Sequence, residues 1–486
     1  MKPTINLLTD QEAANVIQEA IELLDDPGLI VYHPAALDLF EDFGASVDRE
    51  AQTIRLPAVL VEEALKSCPP QISLYDLNGN EKVRYGSGQS FFNPGSSALQ
   101  ILDPSTRAVR SAQTQDLAYF VQLVEVLDPL DSQSTALVCS DVPESIQDLY
   151  RLYVALNYLN KPIVTGVFDH NSWKVMFEML AAAAGSSQHL AARPIAVFDI
   201  CPTSPLKWSY DSAQSLIDNA GASIPIQIIS RPMAGATAPA TLAGTLVQGT
   251  AENLSGVVLT QLIRQGAPVI WGGSPAVFDM KNSTAPMAAP GTWLLEIAYA
   301  QIGKVLGLPT QAYLGISDSK QVDFQAGLET APGSLLAGLA GIDMVSGAGM
   351  LAYENCQSPE KLLLDVEIIA QVQHFLKGIR FPEYPLGLDI IQKAGHQGDF
   401  ISLEHTFQHF RTEVHYPSPL IDRQQLDDWQ LSNSQDAWQR ANSTLPILLE
   451  KYSGPTLDRN VREELRKITA LAASKAGLDS LPKLPN

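Results

Sequence analysis

The stretch IPIQIISRPMAGATAPATLAGTLVQGTAENLSG, residues Ile224–Gly256, decides how the chain is read. It opens on a β-branched run, crosses a loop with almost no side-chain bulk, and ends in a long segment of helical periodicity. The residues that follow, QLIRQGAPVIWGGSP (Gln261–Pro275), deliver a second β-branched run. Strand, loop, helix and strand in this order predict two parallel strands joined by a helical crossover.

Outward from this unit the same pattern repeats from about residue 88. Strand candidates are SFFNPGSSALQILD near 90–103, SQSTALVCS, KPIVTGVFD, IAVFDICPT, IPIQIISRP, APVIWGGSP, TQAYLGISD and IDMVSGAGML. Helical candidates between them include QDLAYFVQLVEVL, SIQDLYRLYVALNYL, NSWKVMFEMLAAAA, YDSAQSLIDNAG, TWLLEIAYAQIGKVLG and PEKLLLDVEIIAQVQHFL. Eight strands alternating with eight helices predict an α/β chain folded as a (β/α)8 TIM barrel, with an open doubly wound sheet as the alternative. No GxGxxG loop follows the first strand, which weakens the open sheet and dinucleotide binding together. That first strand is the least regular, because Pro94 and Gly95 interrupt it, and a hairpin there is the competing reading. Residues 1–85 read as a mostly helical N-terminal cap, 86–380 as the barrel, and 381–486 as a C-terminal helical extension.

Composition narrows the function. Among 486 residues, 32 Lys and Arg face 53 Asp and Glu, a net charge of −21 with no basic run, so nucleic acid is not an expected partner. No run of about 18 apolar residues occurs, which argues against a membrane span, and the N-terminus lacks an apolar signal region, so a cytoplasmic location is expected. Cys68, Cys139, Cys201 and Cys356 stand far apart and suggest neither a disulfide framework nor a zinc ribbon. Association into a homo-oligomer is expected of a large barrel.

Chemistry in such a barrel sits at the C-terminal ends of the strands. There the loops are small: Met233–Ala240 with Gly235 and Thr237, Trp271–Ser274 with Gly272 and Gly273, and Ser346–Met350 with Gly347 and Gly349. Small residues let a ligand approach the backbone, and they predict a wide mouth for something large and flat. Tight packing of helix on sheet is the competing explanation.

The motifs PMAGATAPATLAGTLVQGTAENLSG, QLIRQGAPVIWGG, SDSKQVDFQAGLE, AGIDMVSGAGML, SPEKLLLDVEI and GHQGDFISLEHTFQHFRTE run in order through most of the chain. Together they resemble the trimethylamine methyltransferase family. The resemblance implies a TIM barrel whose mouth receives the cobalamin of a separate corrinoid protein, with Gly235, Thr237, Gly272, Gly273, Asp318, Gly347 and Gly349 as residues facing that corrinoid. Founding members carry pyrrolysine, whereas every position here is a standard residue. That departure implies the branch whose members demethylate quaternary amines such as glycine betaine, carnitine or proline betaine.

Removing a methyl group from a quaternary nitrogen moves no proton, so no general acid or base is singled out and the task is placement and electrostatics. Aromatic faces should hold the cation. The candidates for substrate contact are Phe91, Trp208, Trp271, Tyr313 and Tyr353, with the acids Asp199 and Glu354; Phe92, Phe168, Tyr210 and Phe278 are further aromatics near strand ends. In a regular strand Phe91 and Phe92 cannot both face inward. Arg231 ends the fifth strand, where a guanidinium needs an anionic partner: either a substrate carboxylate or a neighbouring acid such as Asp199, with Lys207 a weaker alternative for the carboxylate. His405 and His409 at i, i+4 with His396 nearby, and Cys139 with Cys201, are the candidate zinc ligands; no HExxH and no third ligand accompany them, so no metal bound by the chain itself is expected. Two other classes compete: a TIM-barrel lyase or hydrolase of a small polar substrate using Asp318 and Lys320 as acid and base, and a non-catalytic quaternary-amine-binding protein.

Overall fold

The computed structural model describes residues 3–381, 386–396 and 398–485. Eight short strands follow one another: β1 Phe91–Pro94, β2 Gln133–Ser134, β3 Ile163–Gly166, β4 Ala196–Ile200, β5 Ile226–Ser230, β6 Val269–Gly273, β7 Gln311–Ala312 and β8 Met344–Ala348. After each comes a helix: α1 Thr114–Glu125, α2 Gln147–Leu156, α3 His170–Ala183, α4 Tyr210–Gly221, α5 Leu242–Ile263, α6 Pro290–Val305, α7 Phe324–Ala340 and α8 Pro359–Leu376.

The fold is α/β. Strands β2 to β6 form one parallel sheet in chain order, and β7, β8 and β1 form another. The edges of the two meet. Trp271 N–H of β6 donates to Pro309 O at 2.8 Å, just before β7, while Asp131 N–H, just before β2, donates to Phe92 O of β1 at 2.8 Å. The irregular first segment resolves into two pieces: β1 pairs with β8, and Gln100–Leu102 forms an antiparallel hairpin with Val109–Ser111.

Side chains alternate along these strands. In β4, Ala196 and Phe198 join the layer under the helices, whereas Val197 faces inward. In β6, Val269 and Trp271 pack outward and Ile270 inward. The inward residues Val164, Val197, Ile270 and Met344 meet a hairpin, Ile72–Tyr75 with Glu81–Tyr85, which closes the end of the strands opposite the helix-leading loops.

Helix α5 has 16 of its 22 residues buried, which explains why LAGTLVQGTAENLSGVVLTQLI lacks a polar face. The N-terminal helices Asp10–Asp25, Pro34–Asp42 and Ala58–Ser67 cover its outer side, sharing one apolar cluster through Leu24, Phe40, Val61, Leu254 and Val258. Near the C-terminus, Ala437–Leu449 lies on α8 and Arg459–Lys475 lies on α3, anchored by Leu445 and Leu465. Among the described residues no helix is long and apolar enough to cross a membrane.

Candidate active site

At the C-terminal ends of the strands lies a cavity of about 520 Å³, lined by residues following β1, β3, β4, β5, β6, β7 and β8. Alternation places Asp199 of β4 on its wall, one pleat above Val197. Its Oδ1 is buried without a hydrogen-bond partner, and burial pushes its carboxyl up to about 8, against the pull of nearby Arg151. Arg231 continues the inward face of β5 after Ile229. Its Nη1 donates to Glu354 Oε2 at 2.8 Å, and its Nη2 lies 3.2 Å from Met287 Sδ. The Arg231 side chain is 42% exposed and that of Glu354 16%. Burial works against the charge of each; the Glu354 carboxylate nonetheless holds the guanidinium above its ordinary value, while Glu354 itself is pushed up. Arg231 thus pairs with an acid, though with Glu354 and not with Asp199.

Tyr353 and Glu354 reach the cavity from an unusual turn after β8. Ala352, Tyr353 and Glu354 have φ of 53°, 59° and 70°, three consecutive left-handed residues with side chains. Such conformations cost about 1–3 kcal/mol each and persist only where the surroundings impose them. Here Ala352 N–H donates to Ser319 O at 2.9 Å, and Lys320 Nζ sits 3.0 Å from Tyr353 Oη and 4.1 Å from its ring centroid. Tyr313, after β7, is nearly buried, which pushes its phenol up, and its N–H donates to the buried Glu296 at 3.3 Å.

Beneath the cavity wall is Arg151 of α2, fully buried. It donates to Ser97 Oγ (2.5 Å), Thr135 O (3.4 Å), Gly166 O (3.2 Å) and Asp148 Oδ1 (3.3 Å), and its guanidinium lies 5.0 Å from the Phe168 ring centroid. One side chain therefore ties together the ends of three strands. It escaped the sequence reading because it lies on a helix, and helical arginines are mostly solvated.

Of the residues expected to touch substrate, Asp199, Arg231, Tyr313, Tyr353 and Glu354 line this cavity, as do Thr237 and Phe168. Three aromatics do not. Phe91 faces inward but at the closed end, edge-on to Tyr85 at 5.8 Å. Trp271 points outward, donating to Tyr299 O at 3.1 Å. Trp208 is fully buried behind β5, its Nε1 bonded to Ser255 Oγ at 2.9 Å. The glycines are corrected too. A Cβ on Gly272 would meet Gln227 and Ile228 O at 2.8 Å, one on Gly273 would meet the Tyr299 ring at 2.4 Å, and Gly347 and Gly349 abut Ile316 and Leu362. These positions are small because neighbouring elements pack against them. Gly235, with φ of +92°, shapes the turn that carries Met233 and Thr237 to the wall and is not itself on it.

Asp318 accepts from the N–H groups of Met287 (2.9 Å) and Ala288 (3.1 Å), and Lys320 donates to Asp318 O, so these two are engaged away from the cavity lining and do not form an acid–base pair there. Lys207, Tyr210, Phe92 and Phe278 also lie off the wall. His405 and His409 lie with ring centroids 4.5 Å apart, tilted by 46°, on an exposed helix, while Cys139 is buried and Cys201 is the one cysteine on the cavity wall. Among the described residues one group has metal-ligand spacing, Asp169, His170 and Asp211, beside the mouth and outside the lining.

Residues 1–476 match the family described as trimethylamine methyltransferase (MTTB). A trimethylamine methyltransferase of Desulfitobacterium hafniense is 32% identical over 97% of this chain and 94% of its own length. A glycine betaine methyltransferase of the same species is 30% identical over 98% of each. The solved monomethylamine methyltransferase of Methanosarcina barkeri covers 92% of this chain and 94% of its own, with 11% identity and a TM-score of 0.44. The chain belongs to the trimethylamine methyltransferase family.

Proposed function

We propose that this protein is a cytoplasmic methyltransferase that moves a methyl group from a quaternary amine bearing a carboxylate, glycine betaine or a related betaine, to the Co(I) corrinoid of a partner protein. The reading places that reaction at the C-terminal mouth of a closed eight-stranded TIM barrel. The chain-order pairing of β2 to β6 and the edge bonds from β6 to β7 and from β1 to β2 support the barrel. The observation that carries the function is one cavity with a partly exposed guanidinium at Arg231, a bare carboxylate at Asp199 on the neighbouring strand, and aromatic faces at Phe168, Tyr313 and Tyr353. Those groups suit the two ends of a zwitterion. The relative named for glycine betaine fits it as well.

The rim suits a corrinoid approaching from outside. Ser96, Thr203, Ser204, Thr237 and Asn355 are short side chains around a cavity sized for a small amine, so a broad macrocycle would rest across the opening. When bound, the corrinoid supplies the Co(I) nucleophile that accepts the methyl group. The chain's own residues then position the substrate. Arg231 holds the carboxylate, Asp199 and the aromatic faces hold the nitrogen, and the C–N bond breaks with its electron pair staying on nitrogen. No proton is exchanged, which is consistent with a wall that offers no paired acid and base.

The test is to incubate the protein with Co(I) cobalamin and glycine betaine, carnitine, proline betaine, choline or trimethylamine, following cobalt methylation by absorbance. Betaine-dependent methylation is expected. Methylation by trimethylamine alone would overturn the substrate class; turnover without corrinoid would favour a hydrolase or lyase, and amine binding without turnover a binding protein.

A further inference from the structure

Between the apolar residues that close one end of the strands and the cavity at the other lies a layer of polar side chains. Alternation from inward-facing Phe91, Ile270 and Met344 turns Asn93 of β1, Gly272 of β6 and Ser346 of β8 inward as well. On β5, Ile226 and Ile228 pack outward, so Gln227 between them faces in. Gln311 of β7 joins the layer: its Nε2 donates to Ser346 Oγ at 3.3 Å, and its Oε1 accepts from Gly273 N–H at 3.3 Å. A Cβ on Gly272 would stand 2.8 Å from Gln227 Cγ and 3.1 Å from Gln311 Oε1, so this glycine leaves space for both amides.

The layer runs directly into the acid of the cavity. Asp199 pairs in register with Gln227, and Ser346 with Asn93. In the closed barrel proposed above, side chains from alternate strands meet in one layer, which brings Asn93 of β1 to Gln227 of β5 and Gln311 of β7. Asn93 is 1% exposed and Gln227 0%. Among the described residues no group bonds either amide, at nitrogen or oxygen, or Oδ1 of Asp199. Buried polar atoms are nearly always bonded, to protein or to ordered water. Five orphaned atoms on three side chains suit about two waters, each making about three hydrogen bonds.

We infer that this layer is a hydrated chamber, in which ordered water held by the amides of Gln227 and Asn93 bonds Oδ1 of Asp199 from below and makes both amides positioning residues for that carboxylate. Water fits where other occupants do not. Each amide offers a donor and an acceptor, as water does, whereas a quaternary nitrogen has nothing to give an amide oxygen or to take from an amide N–H. Six titratable groups face Asp199 from the surrounding elements: Arg151 of α2, Cys201 after β4, Arg231 after β5, Tyr313 after β7, Glu354 after β8 and Tyr85 of the closing hairpin. None of them bonds Oδ1. Water can donate to the ionised carboxylate and accept from the protonated one, so it supports Asp199 in both states.

The use of this water in catalysis rests on the reading of Asp199 as the acid that faces the cation, so the test is made without amine or corrinoid. Denaturant titrations across pH read the Asp199 carboxyl as the difference between the wild type and Asp199→Asn. Burial raises that carboxyl, so stability falls with pH until the folded group is ionised and then levels, near 8. Gln227→Met keeps the reach of the side chain and removes its amide; it should move the levelling point up by about one pH unit, the worth of one hydrogen bond to a charged group. Asn93→Leu should act in the same direction, and neither change should have a pH-dependent effect in the Asp199→Asn background. A high-resolution crystal structure of the wild type, which needs no variant to fold, should show water about 2.7–3.2 Å from Gln227, Asn93 and Asp199 Oδ1. Variants that lose the same stability at every pH, or amides found bonded to protein groups alone, overturn the inference. Shifted levelling points in a chain that methylates cobalt from no quaternary amine would uphold the chamber and overturn the substrate proposal instead.

Discussion

Replacing Arg231 with lysine separates its two possible partners. Lysine keeps the charge and can still face Glu354, but it loses the planar fork that grips a carboxylate at two points. A charge-assisted hydrogen bond to a carboxylate is worth about 1.5–3 kcal/mol. In the structure Nη1 already donates to Glu354 at 2.8 Å and Nη2 touches Met287 Sδ, so only part of the fork is free for a ligand. The lower end of the range therefore applies, about 1.5 kcal/mol or roughly tenfold in KM for glycine betaine. Choline has no carboxylate, so its KM should move by less than about twofold, within the range of an exposed ion pair. Both constants come from initial rates of cobalt methylation. If Arg231 only braces Glu354, the two amines should suffer alike and the melting temperature should fall. Equal shifts in KM would refute the carboxylate role.

Asp199 should impose a pH dependence: its carboxyl titrates near 8 and a cation favours the ionised form, so KM for the amine should fall about tenfold per pH unit up to about 8 and then level, and Asp199→Asn should flatten the profile. The same elevation makes the folded state hold a proton that the unfolded state releases above 3.8, so stability is full below that pH and is lost as pH rises through about 8; Asp199→Asn should remove that decline in denaturant titrations across pH. Arg151→Met should cost about 3–5 kcal/mol by stranding buried Asp148, and adding Asp148→Asn should recover part of it; full additivity of the two losses would show that the pair is not coupled. Gly273→Val should cost about 1–3 kcal/mol through its clash with Tyr299 while leaving KM for the amine unchanged, whereas a selective loss of cobalt methylation would return that glycine to the mouth.

The alternation of elements was legible because each β-branched run is followed by a helical period, and YDSAQSLIDNAG and PEKLLLDVEIIAQVQHFL coincide with α4 and α8 to the residue. Position along a strand was legible for Asp199 and Arg231, since strand ends face the mouth. Facing was not. Trp271 lies one residue from inward-facing Ile270 and Gly272, and sequence does not mark which parity turns inward when both faces are apolar. Nor could it show that Tyr353 and Glu354 sit in left-handed backbone, a conformation that bulky side chains rarely adopt and that neighbours such as Ser319 impose. The exposure of the helix Glu404–Glu413 was not legible either: an amphipathic pattern predicts a buried face, and none of its residues is buried.

The small residues along α5 and β6 have a packing role. Gly249 lies against Pro232 and Tyr299, Gly256 against Trp208, and Gly273 against Tyr299, so the lost bulk draws α5 and α6 close to the sheet. Close docking lets Glu252 reach across from α5 to accept from Ser204 (2.7 Å), Ser230 (2.5 Å) and Leu206 N–H (3.0 Å), and lets Gln248 hold Thr237 O at 2.8 Å. The strand ends that carry the cavity are thereby fixed from behind, which is what a reaction dependent on placement requires. On the proposed reaction the fixed charges also separate substrate from product. A betaine offers a cation to Asp199 and an anion to Arg231. After methyl loss the nitrogen is neutral, the ligand keeps only its negative charge, and it faces Asp199 and Glu354 with the attraction at one end gone. The same two acids that favour entry of the zwitterion therefore attract the demethylated amine less.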